Sequence, residues 1–129
     1  MAVTHSTAAR NAATDAVTAL ISASGRLRFR LTGTVGAPGA SVANLALSAT
    51  AFGASATGTA TANAITSDTN AAGNATAASK ATLETSAGTV VIHCDVAASA
   101  SDINMTNGLV IAAGDTVSCS SLTYTALSA

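Results

Sequence analysis

Three arginines alternate with three apolar residues from Arg26 to Leu31, which is the clearest chemical pattern in the chain. Successive side chains of a β-strand point to opposite faces, so Arg26, Arg28 and Arg30 are expected to share one face. The chain has only five Lys and Arg residues, and this arginine row holds most of them. Guanidinium groups pair well with carboxylates and phosphates, so the row is suited to an acidic neighbouring subunit or a polyanion. The plain alternative is a solvated strand face.

His93 and Cys94 are the one adjacent pair that resembles a nucleophile and its base. In a strand their side chains point to opposite faces, so His93 is not expected to activate Cys94. A zinc site needs about four suitably placed ligands, and only His93, Cys94 and Cys119 are plausible. No phosphate loop, dinucleotide fingerprint or catalytic pair of carboxylates is present. The sequence therefore predicts no catalytic site, no metal and no cofactor. The cysteines are interpreted as small core residues, with a cross-strand disulfide as the alternative.

Small side chains dominate the composition, since Ala, Thr and Ser make up 68 of the 129 residues. An alanine methyl group buries little apolar area, and hydrophobic stabilisation scales with that area at about 25 cal/mol per Å². The only aromatic residues are Phe29, Phe52 and Tyr124. A small domain with such a core is expected to be marginally stable alone. The composition therefore predicts a homo-oligomer or a component of a larger assembly.

The charge balance excludes several partners. A formal net charge of −1 argues against general affinity for nucleic acid, which needs a basic excess. No run of about 18 apolar residues is present, so no membrane partner is expected. The N-terminus lacks the basic and apolar regions of a secretory signal. Synthesis in a cytoplasm is the expectation.

Residues 5 to 23 form the one segment with helical periodicity. An apolar stripe is expected at Ala9, Ala13, Val17, Leu20 and Ile21. Ser6 or Thr7 can cap its start, and Gly25 can end it. The segment predicts an amphipathic helix, whose residues Val17, Leu20 and Ile21 are a candidate surface for docking on a shell or a sister subunit.

Alternating patterns and glycine turns predict strands along the rest of the chain. The expected strands are 26–32, 42–50, 55–62, 79–86, 89–96, 102–105, 109–111 and 116–125, and residues 63–78 are expected to form a long surface loop. Two of these strands are expected to form a hairpin around a turn at Ala87 and Gly88. The fold class predicted is mainly β, a sandwich or barrel-like domain of short antiparallel strands with an N-terminal helix. Residues 1–25 would form the arm and residues 26–129 a single β domain.

Three segments resemble small structural proteins of tailed bacteriophage virions. They are the opening Thr4-His-Ser-Thr-Ala-Ala-Arg-Asn-Ala12, the central stretches 51–54 and 61–69, and the C-terminal stretches 114–118 and 121–125. The resemblance covers most of the chain, but its motifs are low in complexity and carry no catalytic residues. The resemblance implies a structural part of a virion.

Within a virion, the resemblance favours a capsid decoration or cement protein, which sits on the outer head surface and fastens neighbouring capsid subunits. The implied partners are the major capsid protein and other copies of the chain, often as a trimer. The expected location is the capsid surface, after synthesis in the bacterial cytoplasm. Arg26, Arg28 and Arg30 would then contact acidic capsid patches or sister chains. The alternative function is a tail- or fibre-associated virion component.

Overall fold

The computed structural model describes residues 3–21 and 23–127. Residues 1, 2, 22, 128 and 129, which belong to the predicted arm, helix and β domain, lie outside that description. The described chain is mainly β with one N-terminal helix, as predicted. Its elements are α1 Thr7–Ile21, β1 Arg26–Arg30, β2 Gly33–Thr34, β3 Ala37–Pro38, β4 Ser41–Leu47, β5 Thr59–Thr61, β6 Ile65–Thr66, β7 Lys80–Glu84, β8 Val90–Ala97, β9 Ile103–Asn104 and β10 Thr123–Thr125.

Six strands form one sheet, in the order β6-β4-β1-β7-β8-β9. All of its pairs are antiparallel except β8 with β9. The sheet is curled and is compatible with a sandwich-like or barrel-like domain. Two-stranded sheets, β10 with β5 and β2 with β3, complete the strand pairing of the described residues.

Strand β1 lies near the centre of the sheet and shows the predicted alternation. Leu27 is fully buried and Phe29 is 3% exposed, and both lie on the face opposite Arg28. Strand β1 pairs with β4 on one side and β7 on the other. Because both neighbours present apolar residues to the same side, the inner face of β1 meets the core.

The hairpin of β7 and β8 confirms the prediction for residues 79–96. Its turn contains Gly88 at φ +89°, a conformation that favours glycine because other residues carry a β-carbon. The register shifts between Leu83 and Glu84, as in a β-bulge. Leu83 therefore pairs with Ile92 and Glu84 with Val90, and the intervening Val91 packs against the core.

The prediction of the inward face of α1 was right for Ile21 and wrong for Ala9 and Leu20. The residues of α1 that are buried are Thr14, Thr18 and Ile21, whereas Ala9 is exposed and Leu20 is 62% exposed. Ser6 does cap the helix, because its Oγ accepts a hydrogen bond from the Ala9 N–H at 3.2 Å. The helix ends at Ile21, earlier than predicted.

Hydrogen bonds explain why threonine faces inward. The Thr14 hydroxyl donates to the Gly58 carbonyl at 2.6 Å and accepts from the Ala126 N–H at 3.1 Å. Asn11 Oδ1 accepts from the Gly58 N–H at 2.7 Å, and Asp15 Oδ1 accepts from the Ser55 N–H at 2.9 Å. The helix therefore docks on the β5–β10 region mainly through polar contacts and not mainly through the predicted apolar stripe.

Other predicted strands are shorter than expected or absent. Residues 55–62 keep only β5, 102–105 only β9, and 116–125 only β10, while 109–111 form no strand. The predicted loop 63–78 contains β6. These segments lack a sustained row of large apolar residues, so single backbone bonds hold them, such as Asn74 N–H to the Ile111 carbonyl at 2.7 Å. Val117 makes an isolated bridge with Asp68.

Alanine fills much of the core, as the composition predicts. Of the eighteen buried apolar residues in the described chain, six are alanines. They are Ala43, Ala51, Ala60, Ala71, Ala78 and Ala81. The other twelve are larger, and they include Leu27, Phe29 and Leu45. The apolar area that each alanine removes from water is small, so the core contributes less stabilisation than one built from leucine and phenylalanine.

Candidate protein-interaction site

The arginine row lies on one face of the six-stranded sheet, together with polar residues of the adjacent strands. On β7, the direct partners of Arg26, Arg28 and Arg30 are Glu84, Thr82 and Lys80. Thr82 in turn pairs with His93 of β8, and Lys80 pairs with Asp95. We call this surface the polar sheet face. Its side chains alternate with Leu27 and Phe29, which point into the core.

Arg30 is held inside its own chain. Its Nη2 lies 2.7 Å from Oε2 of Glu84, and its Nε donates to the Thr82 hydroxyl at 3.0 Å. The Thr82 hydroxyl donates to the same Glu84 oxygen at 2.5 Å, and Arg30 Nη1 donates to the Gly39 carbonyl at 2.6 Å. Glu84 is fully buried and Arg30 is 7% exposed. Because a buried carboxylate needs a charge partner, this network makes Arg30 a structural residue.

Arg28 and Arg26 are bound far less completely. Arg28 Nε is 3.6 Å from Oε1 of Glu84, a carboxylate already paired with Arg30, and the Arg28 side chain is 25% exposed. In the part of the chain that the structure describes, Arg28 Nε and Glu84 Oε1 have no hydrogen-bond partner. Arg26 is also partly exposed and makes no ion pair there. These two side chains are the part of the arginine row that solvent still reaches.

Formal charge is divided between the polar sheet face and the rest of the molecule. The face carries four cations and two carboxylates, so its formal charge is +2; the remainder carries Arg10 and four aspartates, so its formal charge is −3. Lys80 forms an ion pair with Asp95, and the Lys80 ammonium lowers the pKa of the Asp95 carboxyl by hydrogen bonding and by its charge. The pairs Arg30–Glu84 and Lys80–Asp95 cancel in charge, so Arg26 and Arg28 account for the formal charge of +2 on the polar sheet face.

The helix residues of the candidate interface, like the three arginines, include both buried and exposed side chains. Ile21 is fully buried, Val17 is partly exposed and Leu20 is 62% exposed. Ile21 therefore belongs to the core, and a β-carbon on the neighbouring Gly25 would come within 2.7 Å of its side chain. The predicted surface residues that the structure leaves accessible are Arg26, Arg28, Val17 and Leu20.

The geometry of His93 and Cys94 gives no activated thiol. Cys94 packs against the core and His93 lies on the polar sheet face. Burial, with smaller contributions from the Asp102 and Asp95 carboxylates, raises the pKa of the Cys94 thiol to about 11. Burial also raises the pKa of Cys119. Both cysteines are free thiols, and raised pKa values disfavour the nucleophilic thiolate.

Two negative findings concern residues 3–21 and 23–127, the part of the chain that the structure describes. No group of three or more His, Cys, Asp or Glu is placed there to hold a metal ion. No helix in those ranges has the length and apolar character needed to cross a membrane.

The role of β7 was missed in the sequence. Lys80, Thr82 and Glu84 alternate with Ala81 and Leu83, and that alternation could have placed all three polar residues on one face. What the sequence did not reveal is that β7 lies directly beside β1. That non-local pairing brings Glu84 to Arg30, 54 positions away.

Comparison with known proteins gives no relative: no family model, no curated protein and no solved structure matches this chain.

Proposed function

We propose that this chain is a structural protein of a bacteriophage virion, and that it decorates the outer head surface as a cement protein. The observation that carries the proposal is the polar sheet face. There, Arg26 and Arg28 lie partly exposed, and Glu84, whose Oε1 is 3.6 Å from Arg28 Nε, is already bound by Arg30. Such a surface fits a protein partner that brings its own carboxylates. The resemblance of three segments to virion proteins supports the proposal that the protein is part of a virion.

The small-residue core supports a role in which other subunits supply part of the stability. Any partner that binds only the folded chain stabilises that chain by mass action. In return, a protein that contacts two capsid subunits adds buried area across their joint, so opening the shell also breaks those contacts. The partners in this proposal are the major capsid protein and further copies of the chain, a trimer being the favoured form.

The location is tested by immunogold labelling of virions with an antibody to this protein. A cement protein labels the head. Label on the tail alone would contradict this proposal and favour the tail- or fibre-associated alternative.

The mechanism is tested by adding purified protein to undecorated shells and heating them. We expect the melting temperature of the shell to rise, and we expect Arg28→Glu to weaken shell binding because it replaces a cation by an anion on the contact face. Arg28→Gln removes the charge without placing a second carboxylate beside Glu84, and should show a smaller loss. Thr50→Glu, at an exposed position in the loop after β4, is the control. An unmoved shell melting temperature with the unmodified protein would count against cementing.

A further inference from the structure

A short hairpin projects from one end of the sheet. Strands β2 and β3 pair through only two residue pairs, and the residues from Thr34 to Pro38 are all exposed. Val35 at the tip is 59% exposed, although it is apolar. The Arg30 Nη1 group donates to the Gly39 carbonyl at 2.6 Å, which ties the base of the hairpin to the polar sheet face. The base of the hairpin therefore contacts the polar sheet face, on which Arg26 and Arg28 lie.

A cavity of about 690 Å³ lies elsewhere on the molecule. Phe29 forms part of its wall, and the Phe29 side chain points away from Arg28 and Arg30 because these residues alternate along β1. The wall also includes Val110, which is 56% exposed, and the partly buried Met105. The molecule thus has an exposed apolar hairpin tip and, as a separate surface, an open and partly apolar hollow.

The charges of the two surfaces are complementary. Asp102 and Asp115 line the cavity and are exposed. Oδ2 of Asp102 accepts the Asp95 N–H, and Oδ2 of Asp115 accepts the Ala112 N–H, both at 2.9 Å. In each carboxylate the second oxygen makes no hydrogen bond within the described residues. Two carboxylates thus lie by the hollow, and the partly exposed Arg26 and Arg28 lie on the polar sheet face.

We propose that copies of this chain associate head to tail, with the hairpin and arginines of one copy seated on the cavity of the next. The occupant is a second copy because both halves of the contact, matched in charge, occur on one chain. The inference rests on the proposed function, since it specifies how the subunits of the assembly contact one another. A head-to-tail contact uses two different surfaces, so it closes into a ring, such as a trimer, or continues as a filament.

The test mixes two variants, each of which damages one surface. The head variant is Val35→Asp, which places a carboxylate on the exposed tip. The tail variant is Asp102→Asn with Asp115→Asn, in which each amide oxygen still accepts the backbone N–H. Sedimentation velocity should show an oligomer for the unmodified protein and monomers for each variant alone. An equimolar mixture should form a one-to-one dimer, because the intact head of the tail variant can bind the intact tail of the head variant. This dimer cannot extend, since its two remaining surfaces are the damaged ones. The oligomer should also weaken in high salt.

Three results would overturn the inference. These are an unmodified protein that stays monomeric at high concentration, variants that assemble as well as the unmodified protein, and a mixture that stays monomeric. Circular dichroism of each variant identifies one that fails to fold, and Val35→Ser then replaces Val35→Asp. Shell binding separates this inference from the proposed function: protein that binds shells but never self-associates contradicts only the head-to-tail contact. Protein that self-associates but leaves shells unbound contradicts the cement role.

Discussion

At the scale of single residues, Glu84 joins β1 and β7 through a buried ion pair. Its carboxylate is fully buried and shared by Arg30 and the Thr82 hydroxyl. Removing one partner of a buried ion pair leaves the other charge without compensation, whereas an exposed pair contributes little. The molecule contains both kinds of pair on one face, which allows a direct comparison.

We predict that Glu84→Gln lowers the free energy of unfolding by about 3 kcal/mol, because Arg30 then stays buried without a counter-charge. Asp95→Asn, which breaks the exposed pair with Lys80, is the matched control and should leave stability unchanged within error. Urea unfolding of the three proteins measures both effects. Equal losses in the two variants would show that Glu84 and Arg30 are not bound as described. Adding Arg30→Met to Glu84→Gln should recover part of the loss, because the buried charge of Arg30 is then removed as well.

At the scale of elements, polar contacts position the helix. Thr14 bridges the Gly58 carbonyl and the Ala126 N–H, whereas the Thr18 hydroxyl donates to the Asp15 carbonyl of the same helix at 3.3 Å. Both threonines are buried. The two residues are identical and lie one turn apart. Replacing each in turn therefore distinguishes the loss of contacts between α1 and the β5–β10 region from the loss of a buried threonine hydroxyl as such.

We predict that Thr14→Val destabilises the protein by about 1–3 kcal/mol, since it leaves two backbone groups near the helix without their partner. Thr18→Val should change the free energy of unfolding far less. Thermal and urea unfolding of the two variants measure the difference. A loss as large in Thr18→Val as in Thr14→Val would contradict the docking described for α1.

The predictable elements are those whose pattern is local. Arg26 to Arg30 alternates regularly, and Gly88 marks the turn of the β7–β8 hairpin, so both were found from the sequence. The inward face of α1 was not, because Thr14 faces inward only in response to Gly58, which is far along the chain. The pairing of β1 with β7, which buries Arg30, is equally non-local. The accessible part of the candidate site, Arg26 and Arg28, was therefore predictable, while its internal support was not.

At the scale of the whole molecule, two features favour association with other subunits. One third of the buried apolar residues are alanines, so folding removes little apolar surface from water at these positions. The formal charge is +2 on the polar sheet face and −3 elsewhere, so opposite charges lie on different parts of the surface. Complementary surfaces of this kind steer association and set its specificity.

The dependence of the thermal unfolding midpoint on protein concentration tests this account most directly. An obligate oligomer gains stability by mass action, so its midpoint rises as the concentration of the chain increases. We predict such a rise for the purified protein, with a low midpoint in dilute solution. A monomer with a high midpoint that is the same at every concentration would contradict the central claim that this chain is stabilised by packing against other subunits.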